Sequence, residues 1–256
     1  SVIAIKVVFA KWKTRTTMKR IITSIFVAAV ALTAQASTKT TVNFDAETYV
    51  FSQEEKQLIT NIVETSEARI RELLPDLTEN ITVNVVTTDR NLDIVGGVFG
   101  RADAPGVIEV TLSTASKNGL TGSANSALTS SLFHEIHHLA RGWTMQENKF
   151  GVQPGIPVAT VNEGLASIFA ETYTDEYFPK AYDYPEEAAA WLDEIMNLPK
   201  DANYAHWVAG FHPDGRSVIG YRIGRYVVHQ AMEKTGKDIL ALSKMTPEEI
   251  LEVVLN

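Results

Sequence analysis

The sequence predicts an α+β fold in which a small β-sheet is followed by a mainly helical lobe. Residues 81–87 and 106–112 are short segments rich in β-branched side chains, which is typical of strands. From about residue 123 onward the sequence instead shows helical periodicity with capping signals. A helix, then strands, then mostly helices is the order expected of this fold class.

Local sequence signals support the predicted helices and turns. Ser52 and Glu55 form a capping box at the start of the first helix. Gly96, Gly97 and Gly100 indicate a turn or bulge between the two strands. The predicted helices cover residues 53–74, 123–141, 157–175, 185–197 and 217–235, and a last one follows Thr246.

Length and composition restrict the chemistry that this chain can perform. Its 256 residues suit one domain with a sizeable core, and a hydrophobic fraction of 45% is ordinary for a globular protein. The chain contains no cysteine, which excludes disulfides, cysteine-based zinc sites and cysteine nucleophiles. Any metal must therefore be held by His, Asp or Glu.

The N-terminal segment has the pattern of an export signal. From Met18 two basic residues precede an apolar stretch over 21–32 and a small-residue cleavage pattern, so residues 18–36 are interpreted as a signal peptide. Residues 1–17 are then an upstream extension or a start-site artefact, and Ser37 is the mature N-terminus. The alternative is an N-terminal amphipathic helix or membrane anchor. The signal interpretation predicts an exported protein, periplasmic or extracellular, without stable membrane insertion after cleavage.

The remaining domain, residues 37–256, is strongly acidic. Residues 1–36 hold six basic and no acidic side chains, so the 17 basic and 31 acidic residues that remain give a formal charge of −14. Nucleic-acid binding needs a basic surface, so this charge argues against a nucleic-acid partner. It leaves a peptide or protein substrate open.

A metal-binding pattern lies in the second predicted helix. His134, Glu135 and His138 form an HExxH motif, and at about 100° per residue the two histidines lie about 40° apart on one helix face. Glu135 lies beside them, where its carboxylate flanks a metal-bound water. His137 could also pair with His134, but that pairing supplies no base. The alternative is a surface histidine cluster on an amphipathic helix. The opposite, core-facing side carries Leu128, Leu132, Ile136 and Leu139.

A third ligand is needed, because catalytic zinc takes three protein ligands and a water. Glu163 is the main candidate, 25 positions after His138 on the next predicted helix and among small residues that allow close helix packing. Glu171 and Asp175 are alternatives. Glu163 could instead be an ordinary exposed carboxylate on a helix surface.

Three segments together resemble a known family. They are His134–His138, Glu163-Gly164-Leu165-Ala166 and 220–224 (Gly-Tyr-Arg-Ile-Gly). They are similar to a bacterial family of predicted zinc-dependent proteases, a domain of unknown function, within the gluzincin group. The resemblance covers about residues 75–255 and implies a zincin-like fold, zinc as cofactor and Glu163 as third ligand. Ser167 stands where thermolysin-like enzymes carry an Asp, so the outer coordination shell must differ.

The predicted zinc site suggests a mechanism, to which the resemblance adds a strand that pairs with the substrate. Zinc lowers the pKa of a bound water to about 7, and Glu135 would take its proton and pass it to the leaving nitrogen. Tyr221 is the first candidate for the donor that stabilises the oxyanion, although it could equally be a core tyrosine. The strand over 106–112 would form the cleft edge that pairs with substrate. Alternative donors are His206, His212, Arg222 and Arg225.

The sequence thus supports an exported zinc metallopeptidase as the first functional hypothesis. The second is a non-catalytic zinc-binding or peptide-binding module, and the third is a zinc hydrolase that acts on a non-peptide amide or ester. Glu135 favours an enzyme, because a storage site has no need of a carboxylate at that position.

Overall fold

The structure is a computed structural model that describes residues 40–77, 80–150 and 155–256. The predicted signal peptide over 18–36 and the extension over 1–17 lie outside the described residues. None of the described helices is long and apolar enough to span a membrane.

A four-stranded mixed sheet forms the first part of the described chain. Its strands are β1 (Thr40–Phe44), β2 (Ile81–Thr88), β3 (Val98–Ala104) and β4 (Val107–Ser113), in the spatial order β1-β2-β4-β3. β1, β2 and β4 run parallel to one another, and β3 pairs antiparallel to β4. With the helices that follow, this sheet confirms the α+β prediction.

The strand predicted over 106–112 is present as β4, but it was wrongly expected at the cleft edge. β4 lies between β2 and β3, so β3 is the edge strand on that side. No strand was predicted there, because Gly100, Ala102, Asp103 and Ala104 are residue types with low strand propensity. Gly96 and Gly97 do form the expected turn, with φ of 72° and 90°, whereas Gly100 lies within the strand.

Each predicted helix is present with ends shifted by a few residues. Capping boxes begin α1 at Ser52 and α10 at Thr246. A π-helical turn over Ala124–Leu128 leads directly into α3, which ends at Gly142 in the left-handed conformation. The helices are α1 (Gln53–Leu73), α2 (Gly119–Ser123), α3 (Thr129–Arg141), α4 (Ile156–Thr174), α5 (Pro179–Tyr182), α6 (Ala188–Met196), α7 (Tyr204–Trp207), α8 (Ile219–Thr235), α9 (Ile239–Leu242) and α10 (Pro247–Leu255).

The core is continuous from the sheet to the helical lobe. α3 packs against β3, α1 and α4, and α4 packs against α8. The core-facing residues predicted for the α3 segment are all buried, namely Leu128, Leu132, Ile136 and Leu139. Packing against these elements therefore orients the face of α3 that carries the ligands.

α4 and α8 approach each other at two glycines. A Cβ atom on Gly164 would lie 2.2 Å from the backbone carbonyl of Gly224, and one on Gly224 would lie 2.1 Å from the carbonyl oxygen of Thr160. Only glycine fits at such a backbone-to-backbone contact. Because Gly164 follows Glu163 and Gly224 lies one turn after Tyr221, this crossing places those two side chains near each other.

We expect Gly164→Ala to destabilise the fold by about 1–3 kcal/mol or more, because the added methyl group meets backbone that cannot move aside. Urea denaturation of the metal-free protein measures this. Thr65→Ala, at an exposed position within α1, is the control for placing an alanine on a helix without a close contact. That variant should be neutral or slightly more stable, because Ala is the better helix former. Equal stability of the two variants would contradict the close crossing.

Candidate metal centre

The two histidines of the HExxH motif converge on one point. His134 and His138 lie one turn apart on α3, and their Nε2 atoms are 3.0 Å apart. The two rings meet edge to face, with centroids 4.7 Å apart. His138 is buried, and the side chain of His134 is 13% exposed, so the centre opens toward solvent on the His134 side.

Glu163 on α4 completes the group. Its Oε2 lies 3.0 Å from Nε2 of His134 and 3.2 Å from Nε2 of His138. The Nε2 atoms of His134 and His138 and the Oε2 of Glu163 thus form a triangle with sides of 3.0–3.2 Å, here called the ligand triangle. Zinc bonds of about 2.0–2.1 Å in tetrahedral geometry separate neighbouring ligand atoms by about 3.3 Å, which is close to these sides. Two imidazoles and one carboxylate are also a known ligand set for catalytic zinc. The three residues therefore fit the ion, and they form a group that could hold a metal.

The charge state of Glu163 suits a ligand. Burial alone would raise the pKa of its carboxyl, but the charge of His138 and hydrogen bonds to His134 and His138 outweigh burial. The pKa is held well below its ordinary value, so the carboxylate is ionised at neutral pH. An ionised carboxylate is the form that binds a cation.

A buried network fixes the spacing between the two ligand-bearing helices. The Nε of Arg141, on α3 after His138, donates a 2.9 Å hydrogen bond to the Oδ1 of Asn162, which precedes Glu163 on α4. Arg141 also donates to the carbonyl of Met245 at 3.0 Å. Sequence reasoning missed this pair, because a basic residue at a helix end indicates only a favourable dipole interaction.

Glu135 lies beside the triangle without belonging to it. The side chain is buried, and this burial raises its pKa to about 7, an effect that the charge of His134 partly offsets. It faces Gly100 on β3, where an added Cβ would lie 2.5 Å from the Cγ of Glu135. The edge strand therefore passes directly against this carboxylate, and only a glycine leaves room for it.

Tyr221, the first sequence-based candidate for the donor, lies beside His134. The centroid of its ring lies 5.8 Å from that of His134 and 5.7 Å from that of Tyr182, and it is stacked with both rings. Burial, and after it the charge of Glu163, raises the pKa of both hydroxyls above the ordinary tyrosine range. Both therefore stay protonated and can donate a hydrogen bond. Tyr182 was missed, because nothing in its local sequence distinguishes it from a packing tyrosine.

The alternative donors have other partners. Arg222 donates to the carbonyl oxygens of Lys180 and Asp183, at 3.0 and 2.7 Å. Arg225 forms an ion pair with Glu171. The carboxylate of Glu171, the alternative candidate for the third metal ligand, is therefore already paired with an arginine. The guanidinium groups of Arg222 and Arg225 are thus engaged in holding α8 against neighbouring segments.

The remaining candidates lie outside the triangle. His206 and His212 lie near each other, and His212 pairs with Asp214 at 2.8 Å. Asp175 ends α4 in a left-handed conformation and is exposed. His137 is buried against Phe169 with its Nε2 2.8 Å from the Oγ of Ser243, which agrees with its assignment as a neighbour of the site.

Two cavities flank the centre along β3. The small cavity, about 60 Å³, lies on the His134 side, and its lining includes Ser167. The large cavity, about 570 Å³, lies on the other side and reaches both His138 and Glu163. Glu135 and Tyr221 line both, so the candidate centre lies where the two meet.

Comparisons with known proteins give one family. No curated protein matches the chain significantly, and no solved structure does so. A family described as "Predicted Zn-dependent protease (DUF2268)" matches residues 53–252, which include all the residues of the candidate centre. This confirms the resemblance seen in the sequence. The chain belongs to this family of predicted zinc-dependent proteases.

Proposed function

We propose that the protein is an exported, gluzincin-type zinc metallopeptidase that hydrolyses peptide bonds. The observation that carries the proposal is the triangle of His134, His138 and Glu163, with the buried carboxylate of Glu135 next to it and outside the ligand set. A hydrolase of this type needs a carboxylate beside the metal, and not bound to it, as its general base. The family description supports the same class of enzyme.

Each residue then has a chemical task. His134, His138 and Glu163 hold the zinc ion, which when bound acts as a Lewis acid toward water and a carbonyl oxygen. Glu135 accepts a proton from the attacking water and hands it to the leaving nitrogen. The hydroxyl of Tyr221 donates to the oxygen on which negative charge develops.

The arrangement of β3 supports a peptide as the substrate. An extended chain can add to the exposed edge of a sheet, where backbone hydrogen bonds align it. β3 is such an edge, and it passes directly over Glu135 at Gly100. A peptide aligned there presents its backbone carbonyls to the centre. Export rests on the signal-like pattern over 18–36.

Metal analysis combined with a peptide-library cleavage assay tests the proposal. The purified protein from Ser37 onward should contain about one zinc per chain and cleave peptides. A chelator should abolish cleavage, and added zinc should restore it, because zinc supplies the reactive water. Cleavage that survives complete zinc removal would contradict the proposal. Zinc binding without hydrolysis of any peptide would favour the non-catalytic module, or a hydrolase of other amides or esters.

A further inference from the structure

The free edge of β3 is short. The N–H of Ser113 donates to the carbonyl of Gly97 at 2.9 Å, and residues of an antiparallel pair alternate between facing the partner strand and facing away. By this alternation Gly100 and Ala102 turn their backbone groups away from β4. The carbonyl of Ala102 already accepts a 2.9 Å hydrogen bond from the N–H of Met145. Gly100 is therefore the last outward-facing residue before the edge becomes covered.

The segment 143–148 closes this edge on the His138 side. The N–H of Gln146 donates to the carbonyl of Asp103 at 3.0 Å, one residue beyond the contact of Met145. The segment is itself a tight turn, in which the N–H of Thr144 donates to the carbonyl of Glu147 at 2.8 Å. A peptide that pairs with Gly100 cannot continue along β3 past this turn, so its chain must leave the strand there.

The direction of a paired peptide follows from the direction of β3. The strand runs from Val98, which lines the small cavity, to Ala102, which lines the large cavity. Antiparallel pairing is slightly more stable per residue than parallel pairing. An antiparallel peptide therefore enters from the large cavity, and that cavity receives the side chain on the amino side of the cleaved bond.

The lining of the large cavity is mainly apolar. Its polar lining residues are Thr144, then Glu135, His138 and Glu163 of the candidate centre, and Arg101, which is paired with Asp103 and Glu109. Phe99 and Met145 line it although 48% and 69% of their surfaces are exposed, so a ligand there would cover apolar surface that now contacts water. Other apolar lining residues are Ala102, Trp143, Tyr204, Val208 and Ala209.

We propose that the large cavity is a specificity pocket for one bulky apolar side chain, aromatic or large aliphatic, on the amino side of the cleaved bond. The inference rests on the proposed peptidase function and adds the substrate class. A volume of about 570 Å³ lies within the range of ligand-binding pockets, about 300–1,000 Å³. Because the segment 143–148 blocks further strand pairing, this side chain supplies most of the recognition on that side.

Cleavage of a peptide library tests the pocket, with every amino acid varied at the positions around the cut. The zinc-loaded protein should prefer Phe or Leu over Ala on the amino side by at least about tenfold in kcat/KM. Ala209→Asp, at an exposed position in the lining, should reduce that preference to less than about threefold, because it places a charge beside the apolar side chain. Ala190→Asp, exposed on α6 and outside both cavities, is the matched control and should keep the preference.

Binding gives a readout that does not depend on hydrolysis. Uncleaved fluorescent peptides should bind the zinc-loaded Glu135→Gln protein in the same order, Phe and Leu above Ala, and Ala209→Asp in that background should remove the difference. Cleavage without an apolar preference, or with one only on the carboxyl side of the cut, would contradict the proposed specificity pocket. Such a result would still agree with the proposed peptidase function. If the zinc-loaded protein cleaves no peptide, the proposed function fails and the pocket fails with it.

Discussion

Glu135→Gln is expected to lower kcat/KM for peptide cleavage by about 10²- to 10⁴-fold, the usual contribution of a general base. The amide keeps the shape of the side chain but cannot take a proton from water. Zinc content should stay at the wild-type level, because Glu135 lies outside the ligand triangle. Kinetics together with metal analysis of the same preparation measure both effects.

Glu67→Gln is the matched control for this variant. Glu67 is a buried glutamate like Glu135, 7% against 6% exposed, but it lies on α1 and pairs with Arg71. It should keep wild-type activity, which would separate the loss of the base from the general effect of neutralising a buried carboxylate. Full activity in Glu135→Gln would remove the proposed mechanism, and loss of its zinc would show that Glu135 takes part in binding the ion.

Glu163→Gln is expected to weaken zinc binding by more than about 100-fold, the upper limit for losing an outer-shell partner, because it removes the only anionic ligand. Titration against a zinc chelator of known affinity measures the change. At limiting zinc, peptidase activity should fall together with zinc occupancy, since protein without the ion cannot hydrolyse peptides by this mechanism.

Glu171→Gln provides the comparison on the same helix. Glu171 lies two turns after Glu163 and pairs with Arg225, and it was the sequence-based alternative for the third ligand. It should retain zinc affinity, although the loss of the partner of a buried arginine should lower thermal stability. If Glu171→Gln rather than Glu163→Gln lost zinc, the third ligand would have been assigned to the wrong residue.

The sequence predicted most of the long helices, because the signals for a helix are local. The capping boxes at Ser52 and Thr246 depend only on residues three positions apart, and both are present. The HExxH spacing likewise fixes the relation of His134 to His138 through helix geometry alone. The distance between α3 and α4 is not local, and the proximity of Glu163 could only be inferred from resemblance and from the small residues around it.

What the sequence could not predict depends on contacts between distant segments. β3 has a weak strand pattern, and its role as the edge follows from its pairing with β4 and from no signal of its own. Tyr182 reaches the centre only because α5 packs against α8. The link between Arg141 and Asn162 likewise requires that α3 and α4 already lie side by side.

The zinc K-edge anomalous signal in crystals of the zinc-loaded protein would locate the ion and its ligands. The prediction is one zinc ion bound by the Nε2 atoms of His134 and His138 and by the carboxylate of Glu163, each at about 2.0–2.2 Å. The carboxylate of Glu135 should lie next to the ion without binding it. Zinc bound by another set of residues, or a zinc-loaded protein in which Glu163 points away from the ion, would contradict the account.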